Sequence, residues 1–232
     1  MWEYFYSRFY LNFIEDDGWK YITVGLKNTL IITFFACLMG IVLGFLVGMV
    51  RSTYEKTHKL KILNAVCKVY LTVIRGTPVV VQLMIIYFVV FGSVRISKVL
   101  VAVLAFGINS GAYVAEIFRS GIQAVNIGQM EAARSLGLPY GRAMRKVILP
   151  QAVRIVIPSM VNQFIITLKD TSILYAIGMP ELTQAGSLII ARNFRSFEIW
   201  ATVAAMYFVI IFLLSRLSRM IERRLSNGKG KG

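Results

Sequence analysis

The stretch TLIITFFACLMGIVLGFLVGMV, from Thr29 to Val50, contains no charged residue. A helix of about 20 apolar residues is long enough to cross the roughly 30 Å hydrocarbon core of a bilayer. Gly40, Gly44 and Gly48 recur at every fourth position, so they lie on one helix face, where small residues let another helix approach closely. The stretch therefore predicts a transmembrane helix that packs tightly against a neighbour.

Four further apolar stretches predict four more spans. Three of them are free of charge, residues 76–94, 99–115 and 199–215. The remaining stretch, residues 155–168, reaches Lys169 and Asp170 and resumes from Thr171 to Pro180. The chain is 57% hydrophobic, more than a soluble domain of this length needs. The predicted fold class is an all-α membrane protein with five transmembrane helices.

The distribution of basic residues predicts how these helices are oriented. The formal net charge is +15, which by itself would fit a protein that binds nucleic acid. Lys and Arg, however, gather in residues 51–75, 119–154 and 216–231. Five spans place these three segments on one side of the membrane, and basic residues near span ends stay in the cytoplasm. We expect the N-terminus outside, the C-terminus in the cytoplasm, and no nucleic acid partner.

The chain divides into three parts on this interpretation. Residues 1–20 alternate aromatic and polar side chains and predict an external amphipathic segment on the membrane surface, with an unstructured hydrophobic leader as the alternative. Residues 21–220 form the transmembrane domain, and residues 221–232 form a cytoplasmic tail. Cys37 and Cys67 have no metal-type spacing and predict buried thiols. The sole histidine, His58, has no neighbour suited to catalysis, so a membrane enzyme is disfavoured.

Two features near span ends predict local structure. Residues 60–74 are apolar but include Lys61 and Lys68, which suggests a helix along the cytoplasmic membrane surface. The sequence Arg75-Gly-Thr-Pro78 breaks that helix, and Pro78 suits the first turn of the next one. Glu116 and Arg119 lie three residues apart and can form an ion pair on one helix face. This pair fits a structural salt bridge or a role in gating.

The segment NIGQMEAARSLGLPYGRAMRKVILP, residues 126–150, predicts two short helices between spans. Asn126 and Gln129 can form a capping box for the first helix. Gly137 is placed to end it, and Pro139 is placed to begin the second. The second helix carries basic residues at Arg142, Arg145 and Lys146. Such a hairpin can dock a cytoplasmic partner, or it can be a solvated basic loop.

The pattern Glu131-Ala132-Ala133, then Gly137, Val147 and Leu149-Pro150, resembles the EAA loop of binding-protein-dependent ABC importer permeases. That loop usually has isoleucine at the position of Val147. Further segments resemble the polar amino acid branch of the family: Arg75–Pro78, Ile108–Glu116 and Leu168–Ser172. The resemblance implies the type I ABC importer permease fold in a bacterial inner membrane, with a cytoplasmic EAA coupling helix in residues 126–150.

The resemblance also implies partners and the residues that contact them. Members of the family work with a second permease, identical or paralogous, with two ATP-binding subunits and with an external substrate-binding protein. The residues implied in coupling to the ATPase are Glu131, Ala132, Ala133, Gly137 and Arg142. The chain lacks a Gly-x4-Gly-Lys-[Ser/Thr] loop, so we expect ATP to be bound and hydrolysed by partner subunits, and no cofactor or metal here.

Polar residues within the third and fourth spans are candidates for contact with a polar solute. They are Asn109, Ser110, Tyr113, Asn162, Gln163 and Thr167. Polar groups in spans usually face the bundle interior, where they can contact a solute. For any single one of these residues, a hydrogen bond between helices explains its presence equally well.

The resemblance narrows the choice of substrate. Family members that select basic amino acids tend to carry glutamate at the position of Gln163. This implies a neutral polar amino acid, glutamine first, with arginine, histidine or cystine as alternatives. A channel or transporter that needs no ATPase is the rival class.

Overall fold

The computed structural model describes residues 6, 7, 9–15 and 17–227, and this part of the chain is helical with no strand. A short π-helix at Leu11–Glu15 precedes eight longer elements. In chain order these are α1 (Gly18–Thr57), α2 (Lys61–Gly76), α3 (Val79–Val90), α4 (Lys98–Gln123), α5 (Ile127–Ser135), α6 (Tyr140–Ile177), α7 (Leu182–Asn193) and α8 (Ser196–Asn227). The all-α prediction is confirmed for the described residues.

Four helices, α1, α4, α6 and α8, are each long and apolar enough to cross a membrane. The second predicted span, residues 76–94, differs from the prediction, because α3 is only about 18 Å long at 1.5 Å per residue. It meets the criteria for a span only together with α2, from which it is bent by 109°. The bend falls at Thr77 and Pro78, as the sequence predicts. The bundle has five spans when this bent pair counts as one.

The fourth span is longer and more continuous than the apolar stretch that predicts it. Helix α6 runs from Tyr140 through Pro158 and past Lys169-Asp170, ending in 3₁₀ turns at Thr171–Ile177. The adjacent charges do not interrupt the helix, since a charged side chain leaves the backbone hydrogen bonds of a helix intact. A π-helical segment, Met144–Ile148, lies near its start. Helix α7, which follows, is not among the predicted elements.

Helix α1 packs along α4 through the predicted glycine face. A Cβ atom on Gly40 would lie 2.7 Å from the Ser110 hydroxyl oxygen, and one on Gly44 would lie 2.6 Å from a Val114 methyl. Contact at Gly48 is looser, with 3.5 Å to the Ala115 carbonyl oxygen. Because such distances leave no room for a side chain, Gly40 and Gly44 let the two helices touch along their backbones.

Helix α2 lies against the same pair of helices. Its buried Cys67 and Leu71 pack with Val47, Ala112 and Ala115. The Tyr70 hydroxyl donates a 2.6 Å hydrogen bond to the Ile108 carbonyl oxygen. Both cysteines of the chain, Cys37 and Cys67, are buried free thiols, as predicted.

Helix α7 closes one end of the bundle, which we call the α7 end. It packs between the start of α1 and α8 through buried apolar side chains: Ile22, Leu182, Ala185, Ile189, Ile199 and Val203. The Asn28 side chain donates a 2.6 Å hydrogen bond to the Pro180 carbonyl oxygen. Residues 126–150 lie at the opposite end, the hairpin end.

The predicted boundaries at the two termini are only partly covered. Of the proposed external segment, residues 1–5, 8 and 16 lie outside the described residues, and Gly18 already begins α1. Of the proposed tail, residues 221–227 continue α8, and residues 228–232 lie outside the described part. The three-part division of the chain therefore stays a prediction.

Candidate functional site

The first helix of the hairpin, α5, begins at a side-chain cap. The Asn126 side-chain oxygen accepts a 2.8 Å hydrogen bond from the Gly128 amide, which satisfies one of the free amides of the first turn. The Gln129 side-chain oxygen instead accepts a 3.4 Å hydrogen bond from the side-chain nitrogen of Gln151. Asn126 thus performs its half of the predicted capping box, while Gln129 links α5 to α6.

The end of α5 is fixed by Gly137. This residue has a φ of +83°, a conformation that residues with a Cβ adopt only with strain. The Leu138 amide donates to the Ala133 carbonyl at 3.2 Å, and the Gly137 amide donates to the Arg134 carbonyl at 3.0 Å. These two bonds form a Schellman motif, which ends the helix and aims the chain toward Pro139 and α6.

The exposed surface of the hairpin mixes apolar and charged groups. Ala133 is 5% exposed and anchors α5 to the bundle, whereas Ile127 is 74% and Leu136 is 84% exposed. Glu131 and Ala132, which lie between Ile127 and Leu136 in the sequence, are exposed as well. On α6 the basic residues Arg142, Arg145 and Lys146 are all exposed. Large exposed apolar side chains beside charges are typical of a surface that contacts another protein.

The three candidate substrate residues on α4 face three different neighbours. The Asn109 side chain donates a 3.0 Å hydrogen bond to the Gln82 side-chain oxygen of α3. Ser110 faces Gly40 of α1, and its buried hydroxyl has no hydrogen-bond partner among the described residues. The Tyr113 ring lies 5.7 Å from the Arg75 guanidinium of α2. The structure therefore does not gather these three residues around one point.

On α6, Asn162 and Gln163 line a cavity of about 810 Å³ between α6 and α8. Gln163 is buried, and Ile117 of α4 with Phe208 and Phe212 of α8 contribute apolar walls. Thr167 is buried nearby on the same helix, and its hydroxyl donates a 3.0 Å hydrogen bond to the Gln163 carbonyl oxygen. The structure brings Asn162 and Gln163 together on one cavity wall and leaves the α4 candidates elsewhere.

The predicted ion pair on α4 forms and extends to α2. The Arg119 guanidinium contacts the Glu116 carboxylate, with the Nε donor at 3.1 Å. The other Glu116 oxygen lies 3.6 Å from Arg75. Glu116 therefore joins the hairpin end of α4 to the elbow between α2 and α3.

Two residues that support the fold were missed by the sequence reasoning. Gln82 of α3 donates to the Ile74 and Thr77 carbonyls at 2.8 and 3.1 Å while it accepts from Asn109, so it holds the elbow. Glu181 is fully buried and accepts the amides of Thr183 and Gln184, which caps α7. Gln82 could have been singled out from the sequence, because it is a lone polar residue in an apolar stretch.

No group of three His, Cys, Asp or Glu side chains that could hold a metal ion occurs among the residues described. Two candidate functional features stand out, a partly polar cavity beside α6 and α8 and an exposed hairpin between spans. The apolar helices define a multi-pass helical membrane protein.

Comparison with known proteins identifies the family. The chain belongs to the binding-protein-dependent transport system inner membrane components, whose family model matches residues 40–227. It is 45% identical over 204 residues to the glutamine transport system permease protein GlnP of Escherichia coli (strain K12), covering 87% of this chain and 91% of that protein. It is 36% identical over 214 residues to the L-cystine transport system permease protein TcyB of Bacillus subtilis (strain 168), covering 91% and 89%.

A solved structure agrees with this assignment. The chain matches a subunit in the crystal structure of an amino acid ABC transporter with histidines, with a TM-score of 0.82 and 40% identity over 88% of this chain and 94% of that one. The predicted type I ABC importer permease fold is thereby confirmed. The chain is a membrane transport subunit, and not an enzyme, as its family shows.

Proposed function

We propose that this chain is the permease subunit of an ATP-driven importer of polar amino acids, with glutamine as the first candidate substrate. The hairpin carries this proposal, because α5 is capped at both ends and presents Glu131 between the exposed Ile127 and Leu136. Such a rigid, exposed helix can transmit movement from a partner to α4 and α6, which it connects. Two ATP-binding subunits, one for each of two permeases, are the partners proposed.

The hairpin geometry suggests a role for each residue that is proposed to couple this chain to the ATP-binding subunit. Glu131 and Ala132 lie on the exposed side of α5 and contact the ATP-binding subunit directly. Ala133 seats the helix on the bundle, and Gly137 sets its angle through the left-handed turn. Arg142 lies on the exposed side of the first turn of α6 and completes the contact. ATP is bound by the partner and not by this chain.

The choice of glutamine rests on the relatives and on the cavity. The GlnP relative is 45% identical over most of both chains, and the cystine relative is 36% identical. Gln163 and Asn162 are neutral amides, which can hydrogen-bond an amide side chain but cannot neutralise a guanidinium. The carboxylate in the same lining, Glu222, accepts a hydrogen bond from Ser218 and is accompanied by Arg219. Cystine is therefore the second candidate, and arginine and histidine follow it.

The substrate proposal is tested by uptake into vesicles that contain this chain with its ATP-binding subunit and binding protein. We expect labelled glutamine to enter only with ATP inside, and unlabelled glutamine to compete better than arginine, histidine or cystine. Gln163→Glu is expected to weaken glutamine uptake and shift competition toward arginine. Gln123→Glu, the same change at an exposed position at the end of α4, is the control. Unchanged selectivity in Gln163→Glu would argue against a direct role.

The rival class, a channel or transporter that needs no ATPase, predicts a different outcome in the same vesicles. Uptake would then proceed without ATP and without the partner subunits. Such a result would remove the importer assignment while leaving the fold unchanged.

The proposed orientation places the hairpin end in the cytoplasm and the N-terminus outside. It is supported by the basic side chains at the hairpin end, since basic segments stay in the cytoplasm. Both native cysteines are buried, so a new exposed cysteine can be labelled selectively. We expect an impermeant thiol reagent to label Phe194→Cys in spheroplasts and Leu136→Cys only after the membrane is opened. The reverse pattern would invert the topology.

A further inference from the structure

A second cavity, between α1 and α2, is lined by three basic side chains. Its volume is about 430 Å³, and its lining is Arg51, Lys68, Leu71, Thr72, Arg75 and Gly76. No acidic side chain of the described residues belongs to this lining. The cavity is therefore a concentration of positive charge with one hydroxyl among the cations.

Two carboxylates form long ion pairs with two of these cations and offset part of their charge. A Glu55 oxygen lies 3.8 Å from Arg51, and a Glu116 oxygen lies 3.6 Å from Arg75, both longer than a hydrogen bond. Glu116 is also held by hydrogen bonds from Arg119. In addition, the Nε donor of Arg51 is buried and has no hydrogen-bond partner among the described residues. Lys68, which is exposed, has no carboxylate within ion-pair distance among the described residues, so its charge and its donors remain available in the cavity.

The surface of α2 indicates what surrounds the cavity. Ile62, Val66, Val69 and Val73 recur at helical spacing, and each is more than half exposed. The opposite face, with Asn64, Cys67 and Leu71, is buried against α1 and α4. Lys68, Thr72 and Arg75 lie on the flank between the two. In a membrane protein, an apolar stripe beside a basic flank marks a helix at the boundary between hydrocarbon and headgroups.

We propose that this cavity binds a phosphate group, and that the phosphate belongs to the headgroup of an anionic phospholipid in the leaflet at the hairpin end. Guanidinium groups pair with phosphate oxygens through two parallel hydrogen bonds, which Arg51 and Arg75 can supply. Lys68 adds a point charge, and the Thr72 hydroxyl adds a donor. The acyl chains of the same lipid lie along the Ile62–Val73 stripe.

The position of the site gives the lipid a structural effect. Arg75 and Gly76 end α2 directly before the 109° elbow, and Arg75 also approaches Glu116 of α4. A bound headgroup therefore holds the base of the elbow against α1. The proposal depends on the placement of the chain in a membrane and not on the identity of the transported amino acid.

The test titrates the purified full chain, in a zwitterionic detergent, with three probes while thermal unfolding is followed. The probes are short-chain phosphatidylglycerol, short-chain phosphatidylcholine and inorganic phosphate. The variants are Lys68→Gln and a matched control, Lys61→Gln, which lies on the same helix about 10 Å away along the axis and outside the cavity lining. Thr72→Val is a second cavity variant that leaves the net charge unchanged.

We expect phosphatidylglycerol to stabilise the chain at lower concentration than phosphatidylcholine does. Lys68→Gln should raise the required phosphatidylglycerol concentration about fivefold, the factor expected for one basic residue near an anionic surface. Thr72→Val should raise it less, and Lys61→Gln should change it by less than about twofold.

Two results would overturn the proposal. Equal losses in Lys68→Gln and Lys61→Gln would mean that anionic lipid is attracted by overall charge and not by this cavity. Stabilisation by inorganic phosphate without any preference for phosphatidylglycerol over phosphatidylcholine would exclude the lipid as the source of the phosphate. If Lys68→Gln does not fold, Thr72→Val alone tests the proposal. Unchanged phosphatidylglycerol binding in Thr72→Val would then contradict a lipid site in this cavity.

Discussion

Two short helices connect spans in this chain, and they are built for opposite purposes. Helix α7 caps its N-terminus with a fully buried glutamate, Glu181, and packs its apolar side chains between α1 and α8. Helix α5 is capped by an exposed asparagine and buries only Ala133. Ile127 in its first turn and Leu136 at its C-cap are both exposed.

This difference distinguishes a helix that stabilises the fold, α7, from a helix that is proposed to bind a partner, α5. Helix α7 is stabilised by burial and by hydrogen bonds to α1. In one of these, the Leu182 backbone amide donates to the Thr29 hydroxyl at 3.3 Å. The conformation of α5 depends instead on its own caps and on Gly137. Changes in α7 should therefore affect stability, and changes in α5 should affect coupling.

The largest expected effect on stability comes from the contact between α1 and the start of α7. A Cβ atom on Gly25 would lie 2.8 Å from the Glu181 carbonyl carbon and 3.0 Å from the Leu182 Cα. We expect Gly25→Ala to lower the free energy of unfolding by about 3 kcal/mol, because backbone atoms cannot yield as a flexible side chain does. Thermal unfolding of the detergent-solubilised chain measures this change.

The matched control for that prediction lies in the hairpin. Gly141 has open space around the position of a Cβ atom and lies in the first helical turn of α6. Gly141→Ala should leave stability unchanged or raise it by up to about 1 kcal/mol, the helix preference for alanine over glycine. A similar loss of stability in both variants would show that the two regions do not differ as described.

Two glutamates give the next comparison. Glu181 accepts amides at 2.7 and 2.8 Å and the Tyr207 hydroxyl at 3.1 Å, so Glu181→Ala should cost about 2 kcal/mol of unfolding free energy. Glu131 is exposed on α5, and Glu131→Ala should change stability by less than about 0.5 kcal/mol. Equal unfolding temperatures for the two variants would refute this contrast.

A smaller effect concerns pH. Burial raises the pKa of Glu181 above its ordinary value of 4.5, although the amides of Thr183 and Gln184 act in the opposite direction. The folded chain therefore keeps this proton to higher pH than the unfolded chain, and its stability falls as pH rises from 4.5 through the raised pKa. Glu181→Gln does not titrate, so the stability of the wild type relative to this variant should decline over that range. A rise instead would indicate a lowered pKa.

The sequence allowed much of this architecture to be predicted. Charge-free stretches located the spans, and Arg75-Gly-Thr-Pro78 located the elbow. The spacing of Gly40 and Gly44 predicted a close helix contact, although only the structure shows that the partner is α4. The first hairpin helix, with its Asn126 and Gly137 signals, was predicted because capping depends on neighbouring residues alone. The second predicted short helix was wrong as a separate element, because residues 140–148 continue without a break into the fourth span. Hydropathy could not show that α3 is short. It measures how apolar a stretch is, and it does not show where a helix ends or bends.

Other features depend on contacts between distant residues and could not be predicted. Asn109 was a candidate for substrate contact, but its side chain donates to Gln82, 27 positions earlier in the chain. Glu181 caps α7 and is buried by α1 and α8, which lie far from it in sequence. The spacing of Leu182, Ala185 and Ile189 was nevertheless a readable sign of α7, and the polar residues around them obscured it.

The hairpin is the proposed site where an ATP-binding subunit attaches. The direct measurement is the amount of ATP-binding subunit that remains with the affinity-tagged chain when the complex is purified from membranes. Gly137→Val should reduce it at least about tenfold, a loss of roughly 1.4 kcal/mol, while Gly141→Ala leaves it unchanged. Full retention of the subunit in Gly137→Val and in Glu131→Ala, together with normal ATP-driven uptake, would contradict the proposed coupling.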